Sequence, residues 1–140
     1  MATPSPLPDA QRFLAVMERA MQLVGQKVPR SQLQEIATLC HTVCWEFPDY
    51  GLKSYFMISD QGEVRSAAHW SGAVDGVVTL DARTFHDAAF GKTSFGLAFF
   101  TGKLRVSGIQ PVKLGRFMPL VQPFLDSYQQ ACHELDGKVA

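Results

Sequence analysis

Several features that mark particular protein classes are missing from this sequence of 140 residues. It contains no Asn, which excludes N-glycosylation, and its three Cys are an odd number that argues against a secreted disulfide scaffold. No apolar run reaches the ~18–20 residues of a membrane span, and residues 1–8 lack the basic and apolar segments of a signal peptide. We therefore expect a soluble protein of the cytoplasm.

An excess of positive charge is also absent. Thirteen Lys and Arg balance thirteen Asp and Glu, so the formal net charge is zero. A protein that binds nucleic acid through its overall charge normally carries a basic excess. We therefore expect no nucleic-acid partner.

The motifs of common enzyme classes are missing as well. Gly91-Lys92-Thr93 matches the end of a phosphate-binding loop, but the position five residues before Gly91 is His86 and not the required Gly. There is no G-x-S-x-G nucleophile motif and no dinucleotide-binding fingerprint. These absences predict a protein that is not an enzyme, with no catalytic residues and no cofactor.

Cysteine and histidine occur close together twice, and this suggests zinc as an alternative. Cys40, His41 and Cys44 together with Cys132 and His133 contain enough ligands for a tetrahedral site. However, Cys40 and Cys132 fall on the apolar stripes of predicted helices, where a free Cys behaves as a small hydrophobic residue. We therefore predict no metal site.

The length predicts one domain, because domains cluster near ~100–150 residues. Residues 1–8 contain three Pro and are interpreted as a disordered lead-in, and residues 9–140 as a single domain. Helical spacing predicts one helix from the N-cap Asp9 to Gly25, and a second that begins at a capping box of Ser31 and Gln34.

The rest of the chain alternates between strand and helix patterns. Two short helices, capped by Asp81 and Ser94, are expected before the last strand, and a closing helical stretch begins at Pro111. We expect Pro119 and Pro123 to divide that stretch in two. The predicted strands are residues 42–47, 53–59, 63–70, 76–80 and 103–107. This order predicts an α+β fold with a five-stranded, mostly antiparallel sheet covered by helices.

One long segment departs from the balanced charge of the whole. No acidic residue lies between Ala88 and Leu125, whereas five basic residues and six Phe do. We interpret the segment as an apolar chamber with a basic mouth, which suits an amphiphile with a long tail and an anionic head. A basic rim would also favour an anionic membrane surface, at about 1 kcal/mol per Lys or Arg. Ordinary core packing with solvated lysines is the alternative. The residues of the basic mouth are Lys92, Lys103, Arg105, Lys113 and Arg116.

Within this segment the order of motifs becomes specific. A strand is followed by a short helix that bears Phe85, then by Gly91-Lys92, by Ala98-Phe99-Phe100, and by Gly102-Lys103-Leu104 with Gly108 four residues later. This succession resembles the central stretch of the sterol carrier protein 2 family. The scarcity of Ile and the lack of Asn favour a bacterial, stand-alone member.

The resemblance implies a five-stranded sheet overlaid by helices, with an apolar tunnel between them. In that family the tunnel binds a fatty acid, a fatty acyl-CoA, a sterol-like molecule or a phospholipid. The candidates to line it here come from the short helices, the fifth strand and the late helix. They are Phe85, Phe90, Leu97, Phe100, Leu104, Val106, Phe117, Leu120, Phe124 and Tyr128.

These observations predict a non-enzymatic lipid carrier whose partners are a long-chain lipid and, transiently, an anionic membrane. The second hypothesis is an accessory module that presents a hydrophobic substrate to an enzyme, with the apolar early helices forming a homodimer face. The third is an enzyme acting on a lipid thioester through Cys44 or His86.

Overall fold

The structure is a computed structural model that describes residues 6–139, with side chains described for all of these except Pro111 and residues 136–139. Most of the predicted lead-in, residues 1–5, lies outside the described residues. Pro8 is buried, and its carbonyl accepts a hydrogen bond from the Tyr50 hydroxyl. The end of the predicted lead-in is therefore packed against the domain.

Within residues 6–139, five strands and five helices form an α+β arrangement in which the first four strands follow one another. In chain order they are α1 (Ala10–Lys27), α2 (Arg30–Ala37), β1 (Thr42–Phe47), β2 (Leu52–Ile58), β3 (Val64–Ala67), β4 (Gly76–Thr79), α3 (Ala82–Ala89), α4 (Phe95–Phe100), β5 (Arg105–Ser107) and α5 (Pro111–Val139). None of the helices in the described part of the chain combines the length and hydropathy needed to cross a membrane.

The five strands form one sheet in the order β3-β2-β1-β4-β5. β1 and β4 are parallel, and the other three neighbouring pairs are antiparallel. The predicted fold class, a mostly antiparallel five-stranded sheet covered by helices, is confirmed. The parallel pair arises because the chain crosses from β3, at one edge, back to the middle of the sheet before it forms β4.

The predicted ends of the first two helices need correction. Asp9 caps α1 as expected, since its carboxylate accepts from the Arg12 amide at 2.9 Å. The helix does not stop at Gly25 but continues to Lys27. The second helix begins after Pro29, so Ser31 lies inside its first turn and makes no capping box. Proline fixes its own φ near the helical value, which makes it a good residue at a helix start.

The short helices begin in two different ways. Ser94 caps α4, because its hydroxyl accepts from the Leu97 amide at 3.1 Å. Asp81 occupies the N-cap of α3 but forms no capping hydrogen bond there. The Asp49 carboxylate instead accepts from the amides of Ala82 and Arg83, at 2.7 and 3.2 Å. A residue distant in sequence thus supplies the cap that the local pattern assigned to Asp81.

Pro119 and Pro123 do not divide the closing stretch, which is one helix of 29 residues. Each proline removes one backbone donor and leaves the carbonyl four residues earlier without its helical partner. The N-terminal half of α5 lies largely at the surface, with Gly115 and Pro119 exposed. Water can reach the carbonyls freed there, so the helix tolerates both prolines.

The core lies between the inner face of the sheet and the layer formed by α1, α3 and α5. Phe85 of α3 is fully buried at its centre. Its ring contacts six aromatic neighbours, with centroid distances from 4.9 Å to Tyr128 to 6.3 Å to Phe13. Edge-to-face contacts of this kind stabilise a core beyond simple area burial. The other four neighbours are Trp45, Phe47, Phe95 and Phe124.

Candidate functional site

The strand register decides which side chains share the helix-covered face. Trp45 of β1 pairs with Val78 of β4, which in turn pairs with Val106 of β5. Directly paired residues point to the same face of a sheet. The Trp45 ring contacts Phe124 of α5 at 5.3 Å, so this row faces the helices. Val106, on the edge strand β5, therefore belongs to the same helix-covered face as Trp45 and Val78.

A groove of about 450 Å³ lies at this edge. We call it the β5 groove. Its volume falls within the ~300–1,000 Å³ typical of small-molecule sites. Val106 alternates with Arg105 and Ser107 along β5, so the groove spans the strand edge, with Val106 toward the helices and the guanidinium and two hydroxyl groups toward the opposite face. The groove is lined by Thr79, Phe99, Gly102, Leu104, Arg105, Val106 and Ser107.

The turn between α4 and β5 positions the groove wall. Gly102 ends the helix with a positive φ of 76°, a conformation that favours glycine. The amides of Lys103 and Leu104 then both donate to the Ala98 carbonyl, at 2.8 and 3.0 Å. The chain therefore folds back tightly on α4. This reversal places Phe99 and Leu104 on the walls of the same groove.

The five basic-mouth residues keep their charges available to solvent. Lys113 is half-buried, and the other four are exposed. No ion pair within the described part of the chain involves any of them; its ion pairs join Arg19 to Glu134, His41 to Asp60 and Lys53 to Glu46. Arg105 lines the β5 groove itself. The groove thus has an uncompensated positive charge beside an apolar wall.

The ten predicted tunnel residues differ widely in their exposure. Five of them are core residues: Phe85, Leu104, Leu120, Phe124 and Tyr128. Phe90, Val106 and Phe117 are half-buried. Leu97 and Phe100 lie on the outside of α4, with 56% and 88% of their surface exposed. Of the ten, Leu104 and Val106 line the β5 groove.

Burial decreases steadily along the sheet-facing side of α5. Tyr128 is fully buried, and Phe124 and Leu120 have 9% and 8% of their surface exposed. Phe117 and Leu114, one and two turns nearer the N-terminus, are half-buried. The C-terminal half of α5 is thus packed tightly into the core, whereas its N-terminal half is only partly buried.

His86 of α3 lies in the core. Its side chain is 4% exposed, and Nδ1 lies 2.8 Å from the hydroxyl of Tyr128. The imidazole also lies against the ring of Phe90, at a centroid distance of 4.7 Å. The local pattern missed this position because α5, which supplies Tyr128, is distant in sequence.

The three cysteines are buried. Burial raises the pKa of Cys40 to about 11 and also raises the pKa of Cys44. A higher pKa reduces the fraction of thiolate, the form that reacts and binds metals. Within the described residues, no group of three His, Cys, Asp or Glu side chains is arranged to hold a metal ion.

A larger groove of about 630 Å³ lies on the side of the sheet opposite β5, where β2 and the loop after β3 meet α1. It contains none of the predicted site residues. The β5 groove, in contrast, contains three of them, Leu104, Arg105 and Val106. We therefore take the β5 groove as the candidate site. The larger groove is lined by Leu14, Gly51, Leu52, Lys53, Tyr55, Ala68, His69, Trp70 and Ser71.

Sequence reasoning missed Phe99, Thr79 and Ser107 in the β5 groove. Phe99 and Phe100 are adjacent in α4 and therefore point in different directions. The helix pattern alone did not show which of the two faces the strand. Thr79 and Ser107 line the groove because β4 and β5 pair antiparallel. In this register Val77 lies opposite Ser107, and Thr79 lies opposite Arg105.

Comparison with solved structures shows the same fold in several proteins. A crystal structure of sterol carrier protein 2 matches with a TM-score of 0.59 and 12% identity, over 84% of this chain and 97% of that one. The ubiquinone synthesis protein UbiJ-SCP2 matches with a TM-score of 0.53 and 18% identity, over 90% and 96%.

The stereoselective inverting sec-alkylsulfatase Pisa1 from Pseudomonas sp. also matches, with a TM-score of 0.56 and 20% identity. The match covers 71% of this chain but only 15% of the sulfatase, so the resemblance concerns one part of that larger protein. At these identities the likeness shows the fold alone. The comparison with curated proteins gave no match.

A family model gives the assignment from sequence. The model described as the SCP-2 sterol transfer family matches residues 14–114. The match runs from within α1 to the first turn of α5 and includes all five strands. The chain therefore belongs to the SCP-2 sterol transfer family.

Proposed function

We propose that this protein is a non-enzymatic lipid carrier that binds one long-chain amphiphile at the β5 groove. The ligand class is a fatty acid or another acyl lipid with an anionic head. The family assignment supports a role in lipid binding or transfer. The observation that carries the proposal is the pairing of an apolar wall, Phe99, Leu104 and Val106, with the unpaired guanidinium of Arg105.

The polar side of the groove suits the head of such a ligand. Arg105 offers a planar, permanently charged donor, which binds carboxylates and phosphates well. The hydroxyls of Thr79 and Ser107 line the same groove and add two donors that can turn toward the ligand. The head is thereby fixed on the outer side of the β5 edge, and the tail passes around this edge to the apolar wall on the helix side.

The tail needs more apolar surface than the groove provides. We infer that it enters between the inner face of β5 and the N-terminal half of α5, where Phe117 and Leu114 are half-buried. Each buried methylene contributes about 0.8 kcal/mol, and ordering the ligand and the helix removes several kcal/mol of the total. A micromolar dissociation constant is therefore expected.

The geometry supports a carrier over a thioester-acting enzyme. Trp45 points to the helix-covered face, so its neighbour Cys44 points to the opposite face. His86 lies on α3 and contacts Tyr128 of α5, which places it on the helix side of the sheet. The sheet thus separates Cys44 from His86, so the two groups cannot act together on one thioester. Burial also raises the pKa of Cys44, which disfavours its thiolate.

The accessory-module hypothesis is the second candidate. One structural neighbour, UbiJ-SCP2, is a ubiquinone synthesis protein. For this chain, however, the apolar face of α1 predicted as a homodimer face is used internally. Phe13, Met17 and Met21 are buried in the core of the same chain. A homodimer would need another surface.

The test is a titration of the full chain with a fluorescent long-chain fatty acid in the absence of membranes. We expect saturable binding in the micromolar range. Val106→Glu should weaken it at least tenfold, because the new carboxylate lies in the apolar wall and repels an anionic head. The matched control is Met57→Glu, which changes a half-buried residue on β2, separated from β5 by two strands.

A flat titration of the wild-type protein would overturn the proposal. Equal affinity of wild type and folded Val106→Glu would show that the ligand does not bind in the β5 groove. An equal loss in Met57→Glu would show that the effect of Val106→Glu is general destabilisation. Thermal unfolding of each variant verifies that it is folded.

A further inference from the structure

The outer side of the α4–β5 turn combines exposed apolar and basic groups. We call this surface the α4–β5 patch and define it by Leu97, Phe99, Phe100, Lys103 and Arg105. Helix α4 contributes only Ala98 to the buried core. Leu97, Phe99 and Phe100 are 56%, 53% and 88% exposed, which is unusual for side chains of this size.

The charge around the patch has one sign. From Lys92 to Arg105 the chain carries three basic residues and no acidic one. None of the three is in an ion pair with another described residue. On the sheet, Glu46 lies across Thr79 from Arg105, and it is the partner of Lys53 on the other side. The patch thus presents positive charge beside exposed rings.

We propose that the α4–β5 patch docks on an anionic lipid bilayer, with Phe100 inserted at the membrane surface and Lys103 and Arg105 beside the lipid phosphates. Aromatic and aliphatic side chains enter the interface readily, and each adjacent cation strengthens binding to an anionic surface. This goes beyond ligand binding in the β5 groove, because Leu97, Phe100 and Lys103 do not line that groove, although the patch shares Phe99 and Arg105 with it.

A second copy of this chain fits the patch less well. A twofold dimer brings the same surface of both copies together. Here that contact would place Lys103 and Arg105 of one copy against the same residues of the other, with no acidic residue of the patch between them. Such like-charge contacts oppose association. An anionic membrane supplies the missing negative charge.

The experiment is flotation of the full-length protein with vesicles. One set contains phosphatidylcholine alone, and the other contains phosphatidylcholine and phosphatidylglycerol in equal amounts. We expect binding to the anionic vesicles to be at least tenfold stronger and to fall as salt is raised, because salt screens surface charges. Phe100→Ser should reduce that binding about tenfold, and Lys103→Gln about fivefold.

The matched controls lie far from α4 in the sheet or in a different loop. Arg65→Gln removes an exposed cation from β3, at the opposite edge, and Val74→Ser changes an exposed apolar residue in the loop before β4. Both should alter binding less than twofold. All four altered side chains are exposed, so the variants should unfold at the wild-type temperature within a few degrees.

Several results would overturn the proposal. These are no vesicle binding by wild type, equal binding to neutral and anionic vesicles, or a loss in the controls equal to that in Phe100→Ser. A wild-type dimer in sedimentation that Phe100→Ser converts to monomer would assign the patch to self-association instead. The soluble fatty-acid titration is a separate readout. Binding of fatty acid without vesicle binding contradicts only the docking, and the reverse contradicts only the carrier function.

Discussion

The imidazole of His86 and the hydroxyl of Tyr128 lie 2.8 Å apart and join α3 to α5 in the core. Tyr128 is fully buried, and its ring also contacts Phe85 at a centroid distance of 4.9 Å. The contact lies at the firmly packed end of α5, away from the half-buried residues near Phe117. The structure therefore packs α5 tightly at one end and leaves the residues near Phe117 half-buried at the other.

Tyr128→Phe should destabilise the protein by about 1–2 kcal/mol, because the hydrogen bond to His86 is lost inside the core while the ring contacts remain. Urea denaturation monitored by circular dichroism measures the change. A double-mutant cycle with His86→Phe isolates the pairwise term. A coupling energy near zero would show that the two groups do not stabilise each other.

Asp49 and Asp81 provide a matched pair for the start of α3. Asp49→Ala removes the acceptor of two helix amides and should cost about 1–2 kcal/mol. Asp81→Ala removes no capping hydrogen bond and should cost less than about 0.5 kcal/mol. Both values come from denaturant unfolding. The reverse order of the two losses would contradict the assignment of Asp49 as the cap.

Asp75 should make the free energy of unfolding depend on pH in the acidic range. Its carboxylate accepts hydrogen bonds from the amides of Thr42 and His41, and these lower its pKa below the ordinary value of 3.8. A carboxylate with a lowered pKa stabilises the folded state above its ordinary pKa. This contribution disappears as the pH falls through the lower, folded-state value.

Asp75→Ala should therefore lower the free energy of unfolding at neutral pH by about 1–2 kcal/mol through the two lost hydrogen bonds. Below about pH 4 the difference from wild type should shrink. Unfolding measured from pH 7 down to pH 2 tests this. A constant difference over the whole range would contradict the role of the ionised carboxylate.

Ser127 is a polar group that the core does not use. Its side chain is fully buried in α5, and the hydroxyl has no hydrogen-bond partner among the described residues. Ser127→Ala should leave stability unchanged or raise it by up to about 1 kcal/mol, since an unsatisfied buried hydroxyl is costly. Ala131→Ser, one turn further along the same helix, should do the opposite. A loss above 1 kcal/mol in Ser127→Ala would show that the hydroxyl has a partner.

Much of the fold follows from local pattern. The period-two alternation of Val43, Trp45 and Phe47 predicts β1 at its observed bounds, and the glycines with positive φ mark the turns at Gly91 and Gly102. The order of Phe85, Gly91-Lys92, Ala98-Phe99-Phe100 and Gly102-Lys103-Leu104 identified the family, which the family model confirms. These features could be read because each depends on neighbours in sequence.

The candidate site was less accessible to sequence reasoning, since long-range contacts decide it. His86 and Tyr128 are 42 positions apart, and Asp49 caps a helix more than 30 residues later. Likewise, only the packing of α4 shows that Phe99 lines the β5 groove while Phe100 faces outward. A helical pattern marks both rings as apolar without telling them apart.

The proposed orientation of the ligand, with its head at Arg105, can be tested separately. Arg105→Gln should weaken binding of a long-chain fatty acid about tenfold but change binding of the alcohol of the same chain length less than twofold, because only the acid carries a charge for the guanidinium. Arg65→Gln on β3 is the matched control and should change neither affinity. Equal losses for acid and alcohol would contradict contact between Arg105 and the head.

The central claim is that one lipid molecule binds each chain. Native mass spectrometry of the full-length protein, with oleate added in excess at micromolar concentration, tests it most directly. The account predicts a species heavier than the free chain by the mass of one oleate, present in wild type and strongly reduced in Val106→Glu. A spectrum of the free chain alone, unchanged by added oleate, would contradict it.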